Sequence, residues 1–163
     1  MISPCAQWNP NGITVAGTGH AGNSSYEISN AKGIFIDKAR NALYVADFDN
    51  NRVQMFAPIG SSTMGMTVAS NIENPMKVYV DEDNGPTVYV SLRFQNRVEK
   101  WTQGASKGVQ VGDECKLCSG ISVDKEKNVY MTESNRHRVM RWSPQTNMST
   151  VIAGQTDTSG STS

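Results

Sequence analysis

The chain repeats one pattern of short apolar runs three times, and this internal repeat limits the fold more than any other feature of the sequence. The first copy, residues 33–56, reads GIFIDKARNALYVADFDNNRVQMF, with three runs rich in β-branched and aromatic residues between turn-forming residues. Copies at residues 77–101 and 120–142 follow the same plan. Three runs joined by short turns predict three antiparallel strands per copy, and a chain that repeats such a unit is expected to form a repeat architecture.

Three residue types occupy fixed places in every copy. An aspartate ends the first run, a tyrosine lies in the second, and an arginine opens the third, eight residues after the tyrosine. The aspartates are Asp37, Asp81 and Asp124, the tyrosines are Tyr44, Tyr89 and Tyr130, and the arginines are Arg52, Arg97 and Arg138. A weaker run between the copies, such as TVAS at residues 67–70 or VIAG at residues 151–154, predicts a fourth strand. Four strands in about 40–45 residues is the size of one propeller blade.

These periods divide the chain into three predicted blades, at about residues 31–70, 74–112 and 117–154, followed by a tail rich in Gly, Ser and Thr. Residues 1–17 are interpreted as the end of a preceding blade, with its outer strand at residues 14–17. The predicted fold is therefore all-β, a partial or open propeller of about three four-stranded antiparallel blades. Strand alternation predicts that the tyrosine column is buried between stacked blades. The bare faces of the terminal blades could support self-association.

The aligned columns resemble the NHL repeat, a β-propeller family. They read Gly-Ile-x-x-Asp, then x-Tyr-Val-x-Asp, then Asn-x-Arg-Val-x-x-aromatic, over residues 33–142. The second unit departs from this pattern with Lys77 in place of glycine and Leu92 in place of Asp47, and the third unit has Glu133 at the latter place. The resemblance implies a partial array of about three repeats that serves as a non-catalytic binding or scaffold module. It also leaves two alternatives, because some NHL domains bind RNA and some NHL-like propellers are metal-dependent lyases.

Charge and composition rank these alternatives. The 15 basic residues balance the 15 acidic ones, so no overall field attracts RNA or an anionic membrane, and no apolar run is long enough to span a bilayer. The 2 histidines, His20 and His137, cannot reproduce a lyase site with several histidine ligands. Neither a nucleophile–base pair nor a nucleotide-binding loop is recognisable. We therefore predict a protein partner, with RNA as the alternative, and we predict no enzymatic activity, no metal and no cofactor.

The loop between the second and third strands holds the candidate binding residues, because its sequence differs from unit to unit and loops on a rigid scaffold tend to carry binding. The candidates are Phe48 and Asp49, Arg93 and Phe94, and Asn135 and Arg136. Exposed Phe and Arg suit contacts with protein or RNA, although solvated loop tips are the plainer interpretation. The Asp and Arg columns recur in every unit, which favours structural roles in turns and ion pairs over a cation site in a central channel.

A lone CxxC motif, Cys115 to Cys118, leaves four interpretations open. It could be a small disulfide across the loop entering the third unit, half a zinc site, a redox pair or two inert thiols. Sequons for N-glycosylation at Asn23 and Asn147 weakly favour an extracellular or lumenal setting. The sequence otherwise leaves the compartment open.

Overall fold

The computed structural model describes residues 11–57, 64–81, 83 and 85–154. Regular structure in this part of the chain consists of twelve strands and a short 3-10 helix at Ser134–Arg136. The strands are β1 (Ala31–Asp37), β2 (Ala42–Asp47), β3 (Arg52–Phe56), β4 (Met66–Ser70), β5 (Pro75–Asp81), β6 (Thr87–Leu92), β7 (Arg97–Trp101), β8 (Val109–Val111), β9 (Cys118–Val123), β10 (Val129–Glu133), β11 (Arg138–Ser143) and β12 (Met148–Ala153). No helix of the described residues could cross a membrane.

The strands form three separate four-stranded sheets in chain order, β1 to β4, β5 to β8 and β9 to β12. Every neighbouring pair is antiparallel, as expected for strands joined by tight turns. The tyrosine column holds the same register throughout, since Tyr44, Tyr89 and Tyr130 each lie opposite the fourth residue of the third strand. The predicted all-β fold of four-stranded antiparallel blades is confirmed. We call the sheets blades 1, 2 and 3.

One turn position explains why the loops between second and third strands are so alike in shape. The residue before the arginine column adopts a left-handed backbone, with φ of 55° at Asn51, 54° at Asn96 and 50° at His137. Asparagine and histidine tolerate this region better than most residues with a Cβ. The left-handed residue reverses the chain, so that the arginine after it pairs with the last residue of the second strand.

The core lies between the blades, because alternate residues of each strand face opposite neighbours. Tyr44 of blade 1 packs in a cluster with Val78, Val80, Val90 and other residues of blade 2. Tyr89 of blade 2 packs in the same way against blade 3, in a cluster that includes Val123, Val129 and Met131. Blades 1 and 2 therefore present their tyrosines to the next blade, and blades 2 and 3 present Val90 and Met131 to the previous one.

Tyr130 departs from the predicted burial of the whole tyrosine column. Tyr44 and Tyr89 are buried, at 0% and 3% exposure, whereas Tyr130 is only partly buried. The physical reason is its place, because Tyr130 lies on the outward face of blade 3, where the described residues provide no fourth blade.

The predicted outer strand at residues 14–17 is wrong as a strand assignment, since these residues form no ladder in the structure. A fourth strand needs a third strand beside it, and none precedes residue 14 among the described residues, which begin at residue 11. The segment still packs as part of the fold. Val15 and Ala16, together with Ile28, cover the outward cluster of blade 1, formed by Leu43, Val45 and Phe56. We call residues 13–28 the N-terminal strap. Residues 1–10 and 155–163, which complete the two predicted ends, lie outside the described residues.

Candidate functional site

The loops between second and third strands emerge at one end of the blades, as the repeat predicts. Each loop leaves a buried residue at the end of the second strand, Asp47, Leu92 or Glu133, and returns through the arginine column. Because the blades repeat the same strand directions, the loops of neighbouring blades can meet. Between blades 1 and 2 they do, through the rings of Phe48 and Phe94.

Phe48 and Phe94 form an aromatic pair with the geometry that ring quadrupoles favour. Their centroids lie 6.4 Å apart and their planes meet at 69°, an edge-to-face arrangement. Phe94 keeps 59% of its surface exposed, and Phe48 is partly buried. A phenylalanine this exposed gains little from its own fold, so its apolar ring is available to another molecule.

Two cations flank the aromatic pair. The Lys32 ammonium lies 5.3 Å from the centre of the Phe48 ring, and the Arg93 guanidinium carbon lies 6.0 Å from that of Phe94. Both distances fall within the range of cation–π attraction. The Arg93 Nε atom is buried and has no hydrogen-bond partner among the described residues. We call Lys32, Phe48, Arg93 and Phe94 the aromatic–basic patch.

The other three sequence candidates have different surroundings. The Asp49 carboxylate accepts hydrogen bonds from the Ser29 hydroxyl and the Asn30 amide, each at 3.1 Å, and thereby fixes the segment that enters β1. Asn135 is exposed on the third loop. Arg136 forms an ion pair with Glu133 at 3.5 Å, which partly satisfies its charge.

The aspartate column accepts hydrogen bonds from its own turns or neighbours. Asp37 is fully buried and accepts from the Arg40 backbone N–H and guanidinium, both at 3.0 Å. Asp124 accepts from the Asn128 backbone and side chain at 2.8 Å and from the Tyr130 hydroxyl at 2.9 Å. Desolvation raises the pKa of Asp124, but these hydrogen bonds outweigh it and leave the pKa below its ordinary value.

Asp81 adds a contact between blades. It lies 2.8 Å from the Lys127 ammonium of blade 3, which also contacts Asp83 at 2.7 Å. The hydrogen bonds that the ammonium donates to these two carboxylates raise the pKa of Lys127 well above its ordinary value, so this lysine stays charged and joins blades 2 and 3.

The arginine column closes the second strand onto the third wherever a carboxylate ends the second strand. Arg52 Nε lies 2.7 Å from Asp47, and Arg138 pairs with Glu133 in the same way. Blade 2 has Leu92 at that place, and Arg97 instead pairs with Glu99, at 2.7 Å. Because Leu92 carries no charge, the ion pair of unit two lies within β7, where Arg97 and Glu99 are two residues apart and face the same side of the blade.

Arg52 also anchors the N-terminal strap. Its terminal nitrogens donate to the backbone carbonyls of Asn23, Ser24 and Glu27 at 2.8–2.9 Å. A guanidinium offers five donors in a fixed fork, so one side chain can hold Asp47 and these three carbonyls together. This contact ties the strap to the loop end of blade 1.

The CxxC cysteines are joined as a disulfide in the structure. Both Cys115 and Cys118 are buried, at 1% and 0% exposure, within the cluster between blades 2 and 3. The bridge closes the short segment that enters β9. Among the described residues no group of three or more His, Cys, Asp and Glu side chains is placed to hold a metal ion.

Sequence reasoning missed two features of the structure. Lys32 was not a candidate, because a lysine at the start of a strand gives no signal until its position over Phe48 is known. An open cleft of about 570 Å³ between blades 1 and 2 was also missed. Its lining includes Tyr44, Met55, Pro86 and Trp101. These residues come from four separate stretches, and no local motif could have indicated that they meet.

Comparison with known proteins identifies the fold alone. Neither a known sequence family nor a curated protein matches this chain. Among solved structures, a protein of unknown function from Bacteroides thetaiotaomicron aligns over 91% of this chain and 38% of its own, with a TM-score of 0.67 and 19% identity. A chain of the nidogen–laminin complex aligns over 77% of this chain and 48% of its own, with a TM-score of 0.66 and 15% identity.

Virginiamycin B lyase from Staphylococcus aureus aligns over 76% of this chain and 41% of its own, with a TM-score of 0.59 and 14% identity. The chain thus spans less than half the length of each of these three chains. At identities this low, the likeness shows β-propeller blades and says nothing of activity or partner.

Proposed function

We propose that this chain is a non-catalytic binding module of NHL type that contacts a protein through the loop end of its blades, with the aromatic–basic patch as the contact. The observation that carries the proposal is the Phe48–Phe94 pair, with Phe94 59% exposed beside two cations. Aromatic residues and arginine are the side chains most often found at the centre of protein interfaces.

The charges of the patch favour a particular kind of partner. Lys32 and Arg93 are both positive, and the neighbouring Asp49 is already engaged by Ser29 and Asn30. A partner segment with an apolar side chain next to an acidic one would place the former against the Phe94 ring and the latter near Arg93. Complementary charges of this kind raise the association rate and exclude wrongly charged partners.

The NHL assignment rests on the residue columns and is supported by their roles. The aspartates accept hydrogen bonds, Arg52 and Arg138 close the second strand onto the third, and Tyr44 and Tyr89 pack towards the next blade. Each column therefore serves the blade in the way that a repeated structural position should.

RNA remains the alternative partner, and one observation favours it. Exposed aromatic rings beside cations can stack on unpaired bases and contact phosphates. The protein partner ranks first because the whole chain carries no net charge and Arg136 is paired with Glu133. A lyase activity ranks last, since the likeness to virginiamycin B lyase extends only to the fold.

Selection from a random peptide library displayed on phage tests the proposal. We expect the chain to select peptides that combine aromatic or aliphatic residues with Asp or Glu, and Phe94→Ala to weaken their binding about tenfold or more. Met148→Ala is the matched control, because Met148 is 63% exposed and lies on β12, outside the patch. Selected peptides that bind Phe94→Ala as tightly as the unmodified chain would refute the proposal.

A further inference from the structure

The two end blades expose surfaces that correspond to buried surfaces elsewhere in the chain. In every blade the first strand carries two apolar residues, one lying three positions and the other one position before the aspartate of the aspartate column. In blade 2 these residues are Val78 and Val80, which are 4% and 1% exposed because blade 1 covers them. In blade 1 they are Ile34 and Ile36, which are 61% and 52% exposed. Blade 1 therefore carries the same apolar docking edge as blade 2, and none of the described residues forms a blade upon it.

Blade 3 exposes the opposite kind of face. In blade 2 the residues that face the next blade include Tyr89, Val98 and Val111, all of which blade 3 buries to 3% exposure or less. Their counterparts in blade 3 are Tyr130, Val139 and Ala153. Tyr130 belongs to the tyrosine column, Val139 follows the column arginine, and Ala153 precedes Gly154 as Val111 precedes Gly112. The first two are partly buried and Ala153 is exposed. The chain thus holds both halves of its own interblade contact, one at each end.

Charged residues at the turn between the first and second strands show the same complementarity between the two ends of the chain. At the junction of blades 2 and 3, Lys127, three residues after the column aspartate, contacts Asp81 and Asp83 of the preceding blade. In blade 1 the residue three places after the column aspartate is Arg40. The counterparts of Asp81 and Asp83 in blade 3 are Asp124 and Glu126. Arg40 thus stands at the place of Lys127, and two acidic residues of blade 3 stand at the places of its partners.

The N-terminal strap occupies part of the docking surface of blade 1. Its TVAG segment (residues 14–17) aligns with VIAG (residues 151–154) of blade 3, so Ala16 is the counterpart of Ala153. Ala16 and Val15 lie on Leu43, Val45 and Phe56 and leave the β1 edge open. An incoming blade 3 brings its own fourth strand to the surface that residues 14–17 cover. The strap and a docked blade therefore compete for one surface.

We propose that blade 3 of one copy docks on blade 1 of a second copy, and the reverse, so that two chains close a six-bladed ring and displace the N-terminal strap. Six blades lie within the range of about 4–8 at which propellers close. Each junction repeats the contact that already joins blades 1 and 2 within the chain. The matched propellers, of whose chains this one covers 38–48%, are also about twice its size.

Sedimentation analysis of the full chain over a dilution series tests the proposal. The 17.8 kDa chain should show a monomer–dimer equilibrium. Ile36→Asp should weaken the dimer at least about 100-fold, because it places a charge at both junctions. Val109→Asp is the control, since Val109 is 64% exposed and lies on β8 of blade 2, which takes part in neither proposed junction, and it should change the affinity by no more than about twofold. Circular dichroism should show that both variants keep the fold of the unmodified chain.

Two further variants separate this arrangement from others. Val15→Asp loosens the strap and should tighten the dimer about tenfold. Ala153→Asp should block the face of blade 3 as Ile36→Asp blocks that of blade 1. A mixture of these two blocked variants should still form a weaker dimer through its one intact junction. A chain that stays monomeric at about 100 µM, a dimer that survives Ile36→Asp, or a mixture that stays monomeric would overturn the proposal. A Val15→Asp chain with unchanged or weaker dimerisation would overturn the competition with the strap.

Discussion

Replacing Tyr89 tests the interblade packing on which the whole fold depends. Tyr89 is 3% exposed and packs in the cluster with Val123, Val129 and Met131 of blade 3. Truncation to alanine removes roughly 150 Å² of buried aromatic surface, which corresponds to about 4 kcal/mol at about 25 cal/mol per Å². The value lies within the range of about 3–5 kcal/mol found for large aromatic-to-alanine changes in protein cores. Burial also raises the pKa of the Tyr89 hydroxyl, in keeping with its place between two blades.

Tyr130→Ala is the matched control, because Tyr130 occupies the same column on a face without a following blade. We expect it to cost about 1–2 kcal/mol, from partial packing and the hydrogen bond to Asp124, since no cavity is enclosed. Urea unfolding of both variants, at a concentration where the chain is monomeric, gives the comparison. Equal losses, or a loss below about 1 kcal/mol for Tyr89→Ala, would refute the assigned blade register.

Three other predictions concern particular groups. Alkylation of the unreduced, unfolded chain should label two fewer thiols than after reduction, and peptide mapping should link Cys115 to Cys118; labelling of all 3 cysteines would exclude the bridge. RNA should bind more weakly than micromolar at physiological salt, with a slope of about −0.7 per phosphate contact, and sub-micromolar affinity lost in the double variant Arg93→Ala with Arg136→Ala would reverse the ranking of partners. Because the folded pKa of Asp124 is lowered, its charged form stabilises the fold fully above the ordinary pKa of 3.8. The stability lost in Asp124→Asn at neutral pH should therefore shrink as pH falls below 3.8 towards the lowered pKa, and a difference that is independent of pH would contradict the hydrogen-bond assignment.

The sequence predicted the blades because their determinants are local and repeated. The alternation of β-branched and aromatic residues specifies each strand, and the Asp, Tyr and Arg columns fix the register from one unit to the next. The burial of Tyr44 and Tyr89 followed from the same alternation. The exposure of Tyr130 did not, because it depends on what lies beyond blade 3 rather than on the residues around the tyrosine.

The candidate site was only partly predictable for a related reason. Phe48 and Phe94 could be placed on equivalent loops, but their contact requires the packing of two blades whose residues lie far apart in sequence. Lys32 could be assigned to the site only from its position over the Phe48 ring in the folded protein. The engagement of Asp49 by Ser29 and Asn30 depends on the path of the preceding linker, for which no sequence pattern gives a rule.

The claim that the loop end of the blades meets a protein can be tested directly by photo-crosslinking. A benzophenone side chain at position 94, and at position 148 as the control, would be irradiated in an extract of the cells that produce the protein. We predict a defined protein adduct at position 94 that is absent at position 148 and resists ribonuclease. Excess unlabelled chain should suppress this adduct, whereas an excess of the double variant Phe48→Ala with Phe94→Ala should not. Adducts of equal yield at both positions, or an adduct at position 94 that ribonuclease removes, would contradict the account.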